Sequence, residues 1–208
     1  MPPSSGFTPT AFPEAKSFAF GVSVEYTHEE NRKWYVFRAS YGREDRALDY
    51  IVAHGTYAYI AKRETEKIIK GRRRRVLKSL IPGLLFAYAT DKEAEEYVKR
   101  SPEIPFLSFY YNHFQHNANG LNPPLTIPCK EMENFMLATL NHNRHLMFVE
   151  PSRCHFKSGD LVRVVEGPFI GVEGKVARLA GQQRVVLQLP EVGLISTAYI
   201  PTAFIQRI

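Results

Sequence analysis

The chain has only two cysteines, Cys129 and Cys154, among 208 residues. They allow one disulfide at most, and so sparse a use favours reduced thiols and a cytoplasmic protein over a secreted disulfide scaffold. Long apolar runs are missing too. None approaches the roughly 18–20 residues that cross a bilayer, so no membrane partner is expected. Residues 1–32 lack a basic segment followed by a continuous apolar core, which excludes a secretory signal. Their Pro, Ser, Thr and Gly content predicts a flexible leader instead.

The motifs of common chemistries are equally scarce. The stretch GDLVRVVEGPFIGVEGKV, residues 159–176, holds four glycines. A phosphate-gripping Walker loop would need a glycine at Phe169 and a hydroxyl at Val176, and the dinucleotide fingerprint fails on the spacing Gly167, Gly171, Gly174. His113 and His116, His142 and His145, and Cys154 beside His155 hint at a metal, but no C-x-x-C or H-E-x-x-H accompanies them. There is no G-x-S-x-G. The expectation is a protein without metal or cofactor that is not an enzyme.

Positive charge is present, and it is concentrated. The chain nets +6. Residues 62–78 hold nine Lys or Arg against two Glu, a surplus larger than the whole, so the rest is slightly acidic. Two readings of this run stand. One is a solvated β-hairpin arm with Gly71 near its tip. The other is a phosphate-contacting arm, because four adjacent arginines repel unless something acidic lies near and their forked donors suit phosphate.

Patterning orders the rest. WYVFRAS, residues 34–40, reads as a strand, in which Trp34 and Tyr35 face opposite sides. That places at least one of them on a sheet surface, open to an apolar partner. Ala47, Leu48, Ile51 and Val52 form one helical face ending before Gly55. Strands follow at residues 56–61 and within 79–90, where Pro82-Gly83 marks a bend. DKEAEEYVKR opens with an Asp cap and runs from acids to bases, as a helix dipole prefers. A strand is expected near residues 106–111, a loop after it, and a short amphipathic helix with Met132, Phe135, Met136 and Leu140 on one face. From residue 156 the texture changes to about five short strands between Gly or Pro turns, the rhythm of a small barrel. Val162 and Val164 point one way, Leu161, Arg163 and Val165 the other, while Gly167-Pro168, Gly171 and Gly174 make turns and tight bends.

Taken in order, KWYVFRASYG, IPGLLF after a basic hairpin, and FKSGDLVRVVEGPFIGVEGKV resemble the NusG family of transcription elongation factors over residues 33–208. TEKIIKGRRRRVLKSLIPGLLF is closest in style to its specialised antitermination paralogues, RfaH-like or UpxY-like. The resemblance implies an α+β protein: a leader at 1–32, an NGN domain at 33–128 with a ferredoxin-like α/β sandwich, a helix and linker at 129–155, and a KOW domain at 156–208 built as an SH3-like β-barrel. It implies a monomer that binds the clamp helices of RNA polymerase through Trp34, Tyr35, Ile81, Pro82, Gly83 and Leu84. It sets Arg38, Tyr41, Arg43 and Arg46 against non-template DNA, and puts Arg72, Arg73, Arg74 and Arg75 in a charged hairpin beside DNA or nascent RNA. Phe169 matches the family's Gly-Pro-Phe. Val192 stands where the family's barrel carries a docking aromatic. That departure weighs against Rho and a ribosomal protein alike; the ribosomal protein stays among the implied partners and Rho is not expected. The alternative is a ribosome-associated or general RNA-binding protein, which explains the barrel and the arginines but not the first part.

Overall fold

The structure is a computed structural model that describes residues 29–140, 143–149, 160–179 and 181–208. Its first strand, β1 (Lys33–Ala39), is aromatic and β-branched and is buried on both faces. It pairs with β5 (Leu84–Ala89) on one side, and with β6 (Leu107–Phe109) and the two-residue β7 (Thr126–Ile127) in succession on the other. With β2 (Tyr57–Tyr59) the sheet order is β2-β5-β1-β6. Helix α1 (Glu44–Ala53) connects β1 to β2, and α2 (Asp91–Lys99) connects β5 to β6. This is the β-α-β-β-α-β order of the ferredoxin-like sandwich. A hairpin, β3 (Lys62–Ile69) and β4 (Arg72–Ser79), is inserted between β2 and β5.

Alternation along β1 divides the interior in two. Tyr35, Phe37 and Ala39 face a core shared with Ala47, Leu48 and Ile51 of α1 and Ala94 and Tyr97 of α2. Val52 is only half-buried, so the apolar face of α1 is narrower than the sequence pattern. Trp34 and Val36 face the other side, which α3 (Cys129–Thr139) covers. There Phe135 meets the rings of Phe86 and Tyr59 edge-on, and the Tyr59 and Thr139 hydroxyls are hydrogen-bonded. Trp34 and Tyr35 are therefore both buried, at 0 % and 6 % exposure. The expectation that one of them lies on an open sheet surface is overturned, because α1 and α2 occupy one face and α3 the other.

The same helix joins the second half of the chain. Strands β8 (Met147–Val149), β9 (Leu161–Val164), β10 (Glu173–Leu179), β11 (Gln182–Leu189), β12 (Gly193–Tyr199) and β13 (Ile205–Arg207) form one antiparallel sheet in the order β13-β9-β10-β11-β12-β8. Val162 and Val164 are buried between the exposed Leu161 and Arg163. The sheet is open: among the described residues its edge strands β13 and β8 do not pair. The expected closed SH3-like barrel is not seen, since β8 takes the edge of β12 at which a closing strand would sit. β8 itself lies within the stretch read as linker. The start of the second unit at residue 156 falls outside the described residues, as do Cys154, His142 and His155. Asn134 of α3 exchanges two hydrogen bonds with the backbone of Glu173, donating to its carbonyl at 2.5 Å and accepting from its amide at 2.8 Å. Leu137 of α3 lies against Gly171.

Local chemistry explains several ends. The cap of α2 is Thr90, one residue before the expected Asp91, and it forms a capping box with Glu93. Residues read as leader are partly tied down. Arg32 forks onto Glu93, and Glu29 shares hydrogen bonds with the Tyr88 hydroxyl. Gly174 is not at a bend but inside β10; a Cβ there would come within 2.6 Å of the Val186 carbonyl, so this glycine is needed for close strand approach.

Two outcomes test these packing arguments. Asn134→Ala removes both hydrogen bonds and leaves the Glu173 amide and carbonyl to find new partners, at a cost of about 1–3 kcal/mol; a denaturation midpoint unchanged from wild type contradicts it. Three carboxylates sit below their ordinary range. Asp91 is held there by hydrogen bonds from the Tyr35 hydroxyl and Lys33. Burial pushes Glu93 up, but the Thr90 amide and hydroxyl and the Arg32 guanidinium outweigh it. Glu173 is lowered by the Arg163 guanidinium, against burial, with help from Lys130. The folded state thus binds fewer protons than the unfolded one, so this stability is present above about pH 4.5 and is lost as pH falls through the folded-state values. Denaturant titrations between pH 3 and 6 are expected to show a shallower acid loss for Glu173→Gln than for wild type.

Candidate functional site

One corner gathers most of the residues singled out in the sequence. Ile81, Pro82, Gly83 and Leu84 form a turn closed by the Leu84 amide on the Ile81 carbonyl at 3.2 Å. Pro82 sets the first central position. Gly83 takes the second, with φ +79°, which is the geometry of a type II turn. Two contacts lock the turn in place. The Ala39 amide donates to the Gly83 carbonyl at 2.8 Å, and the Gly83 amide points at the Glu44 carboxylate at 3.4 Å.

Immediately beside it β1 ends in the turn Ser40–Gly42, where the Ser40 amide bonds the Phe106 carbonyl. Tyr41 there is left-handed, with φ 62° and ψ 32°, which costs a non-glycine residue on the order of 1–3 kcal/mol. Its ring is 91 % exposed. The Arg43 guanidinium lies 5.3 Å from the Tyr41 ring and 4.2 Å from the Phe106 ring, and Arg46 lies 5.7 Å from Phe106. Arg38 is exposed on β1, opposite Leu84 and Ser108. Tyr41, Arg43 and Arg46 thus surround one aromatic platform at the end of the sheet, with Arg38 on the adjoining strand. Stacked guanidiniums and an exposed ring suit phosphates and unstacked bases together.

The apolar set is less unified. Trp34 and Leu84 share the α3 side of the sheet, and Ile81 belongs to the same buried cluster. Tyr35 lies on the opposite side with its hydroxyl on Asp91 at 2.6 Å; burial and that hydrogen bond push the hydroxyl well above its ordinary range. Only Pro82 of the six is exposed. No open apolar depression joins them in this state.

The arm is a regular two-stranded ribbon from Lys62↔Ser79 to Ile69↔Arg72. Lys70 and Gly71 both have positive φ, 51° and 73°, as a two-residue hairpin turn demands. All four arginines, Arg72 to Arg75, are exposed. A cavity of about 280 Å³ opens at the ribbon's base, lined by Arg63, Glu64, Glu66, Arg75, Arg144 and His145 among others. Arg144 and His145 were not foreseen, because only folding brings residues 144–145 to the hairpin.

In the second half, Phe169 is buried in the common core and Val192 is half-buried. Phe169 is therefore not presented as a docking surface. Sequence reading missed Phe148 of β8. Its ring lies against Gly193, beside Val192, and is 38 % exposed. No local pattern marks it, since its neighbour comes from β12. Among the described residues no three His, Cys, Asp or Glu side chains converge to hold a metal ion, and no helix is long and apolar enough to cross a membrane.

A protein-family model, described as transcription termination factor nusG, matches residues 32–136. That is half of the chain, from β1 through most of α3. The chain belongs to the NusG family. No curated protein matches it. The family therefore accounts for the sandwich, the inserted hairpin and the helix that covers Trp34, while the six-stranded sheet lies beyond the match. The Tyr41 corner lies within it.

Strain at that corner is measurable. Tyr41→Gly is expected to leave stability unchanged or raise it by up to about 1 kcal/mol, because relief of the left-handed residue offsets the lost contact with Arg43. A loss beyond about 1 kcal/mol in chemical denaturation overturns this reading of an exposed, strained ring.

Proposed function

We propose that the chain is a non-enzymatic, cytoplasmic transcription elongation and antitermination factor that binds RNA polymerase through its N-terminal unit. The family match over residues 32–136 carries this reading. The Pro82 turn and the Tyr41 platform adjoin each other, so a surface facing the polymerase clamp helices and a surface facing exposed non-template DNA lie side by side. Such an arrangement lets one rigid corner hold both the enzyme and its nucleic acid, which restrains pausing by positioning alone.

Trp34, Ile81 and Leu84 serve polymerase docking only when uncovered, since they share a core with α3 in the isolated chain. Tyr35 supports the sheet from the other side rather than touching a partner. The six-stranded sheet is read as a KOW-type unit for a further partner, with Phe148 beside Val192 as its exposed aromatic. The style of the basic hairpin supports a specialised antitermination paralogue.

Two measurements decide. In a transcription assay carrying a pause and a terminator, added protein is expected to raise read-through. In a pull-down, core RNA polymerase is expected to retain the purified chain, and Arg43→Gln with Arg46→Gln to keep retention while lowering read-through. Tight binding to free RNA without polymerase retention would establish the RNA-binding alternative instead.

A further inference from the structure

The basic run is not evenly basic in three dimensions. Directly opposed residues of an antiparallel pair share a face. The register pairs Arg63 with Lys78, Thr65 with Val76, Lys67 with Arg74, and Ile69 with Arg72. That face holds five cations and no carboxylate. The other face pairs Lys62 with Ser79, Glu64 with Leu77, Glu66 with Arg75, and Ile68 with Arg73. It has two carboxylates for three cations, and two of those cations are paired within the chain. Arg73 lies 3.7 Å from Glu66, and Lys62 reaches Asp45 of α1 at 2.6 Å.

On the first face Arg63 donates to the Leu146 carbonyl, which leaves its charge uncompensated. Among the described residues Lys67, Arg72, Arg74 and Lys78 form no ion pair. Two like-charged pairs, Arg63 with Lys78 and Lys67 with Arg74, sit directly across from one another, an arrangement that destabilises a ribbon by itself.

The geometry points to this single face, and not the arginine run as such, as a docking surface for the phosphate backbone of duplex DNA. The inference rests on the proposed function and deepens it, adding the arm to the nucleic-acid surface there given to the Tyr41 platform. Charge complementarity names a polyanion, and three observations choose the duplex. The hairpin has no aromatic residue, so it lacks the stacking platforms that hold single strands. It is a two-stranded ribbon, which the major groove of B-form DNA admits and the narrow major groove of A-form RNA does not. Its eight-residue strands span roughly 26 Å, enough to follow the backbone over about three quarters of a helical turn.

The test compares two variants of equal charge in the full chain. Arg72→Gln with Arg74→Gln strips the carboxylate-free face; Arg73→Gln with Arg75→Gln strips the other. Both alter exposed side chains, and circular dichroism checks that both fold. Binding to a fluorescent duplex of about 20 base pairs is followed by anisotropy from 50 to 200 mM salt. The first variant is expected to lose affinity roughly tenfold or more at low salt, with the log–log salt slope shallower by about two units. The second is expected to stay within about threefold, with its slope retained. Equal losses in the two variants overturn the proposal. So does tighter binding of single-stranded DNA or an RNA duplex than of the DNA duplex, and so does absence of duplex binding at low salt. Retention by core polymerase, measured on the same proteins, is expected to be unchanged, which separates failure of this inference from failure of the polymerase reading.

Discussion

Helix α3 has to bury two sides at once. Phe135 and Met132 close the Trp34 face of the first sheet, and Asn134 and Leu137 meet the second sheet at Glu173 and Gly171. Without that helix β1 would expose Trp34 and Val36, and the open six-stranded sheet would lose its packing partner. The hydrophobic contribution is large, since each fully buried aromatic or aliphatic side chain adds about 1.5–3 kcal/mol. The polar contribution is smaller but directional. The paired Asn134 hydrogen bonds fix which strand of the second sheet sits against which turn of the helix.

From that constraint follows the form of the candidate site. The far side of β1 is closed by α1 and α2, so neither face of the sheet is open, and the exposed candidate residues lie at its end and on the inserted ribbon. At the end, the Gly83 turn and the strained Tyr41 turn are locked to each other through Ala39, Glu44 and Phe106. The candidate site thus rests on turns held by a rigid scaffold, where backbone strain and an exposed ring are tolerated because few core contacts depend on them.

Much of this was legible in the residues, and the reasons are local. WYVFRAS, the α1 periodicity, Pro82-Gly83 and the Val162/Val164 alternation are short-range patterns, and each predicted its element. Gly71 marked the hairpin because a two-residue turn needs positive φ. What was not legible depends on distant partners. Met147–Val149 became a strand only because β12 offers an edge. The burial of both Trp34 and Tyr35 needed a helix some hundred residues away in the chain. Tyr35 parted from Trp34, Ile81 and Leu84 because alternation sends neighbours to opposite faces. The split of the arginine run between a face without carboxylates and a face shared with Glu64 and Glu66 is fixed by register, which the string RRRR does not reveal. The closed barrel was inferred from strand rhythm, and rhythm does not say whether edges meet.

The strand β8 has one more consequence. Helix α3 ends at Thr139 and β8 begins at Met147. The intervening chain therefore spans at most roughly 25–30 Å, even fully extended. Any event that parted the second sheet from α3 would leave it on a short leash. Its local concentration near the helix would stay in the millimolar range, and return would be a first-order step, indifferent to how much protein the cell contains. The two halves are thus bound to act as neighbours, whether or not they touch.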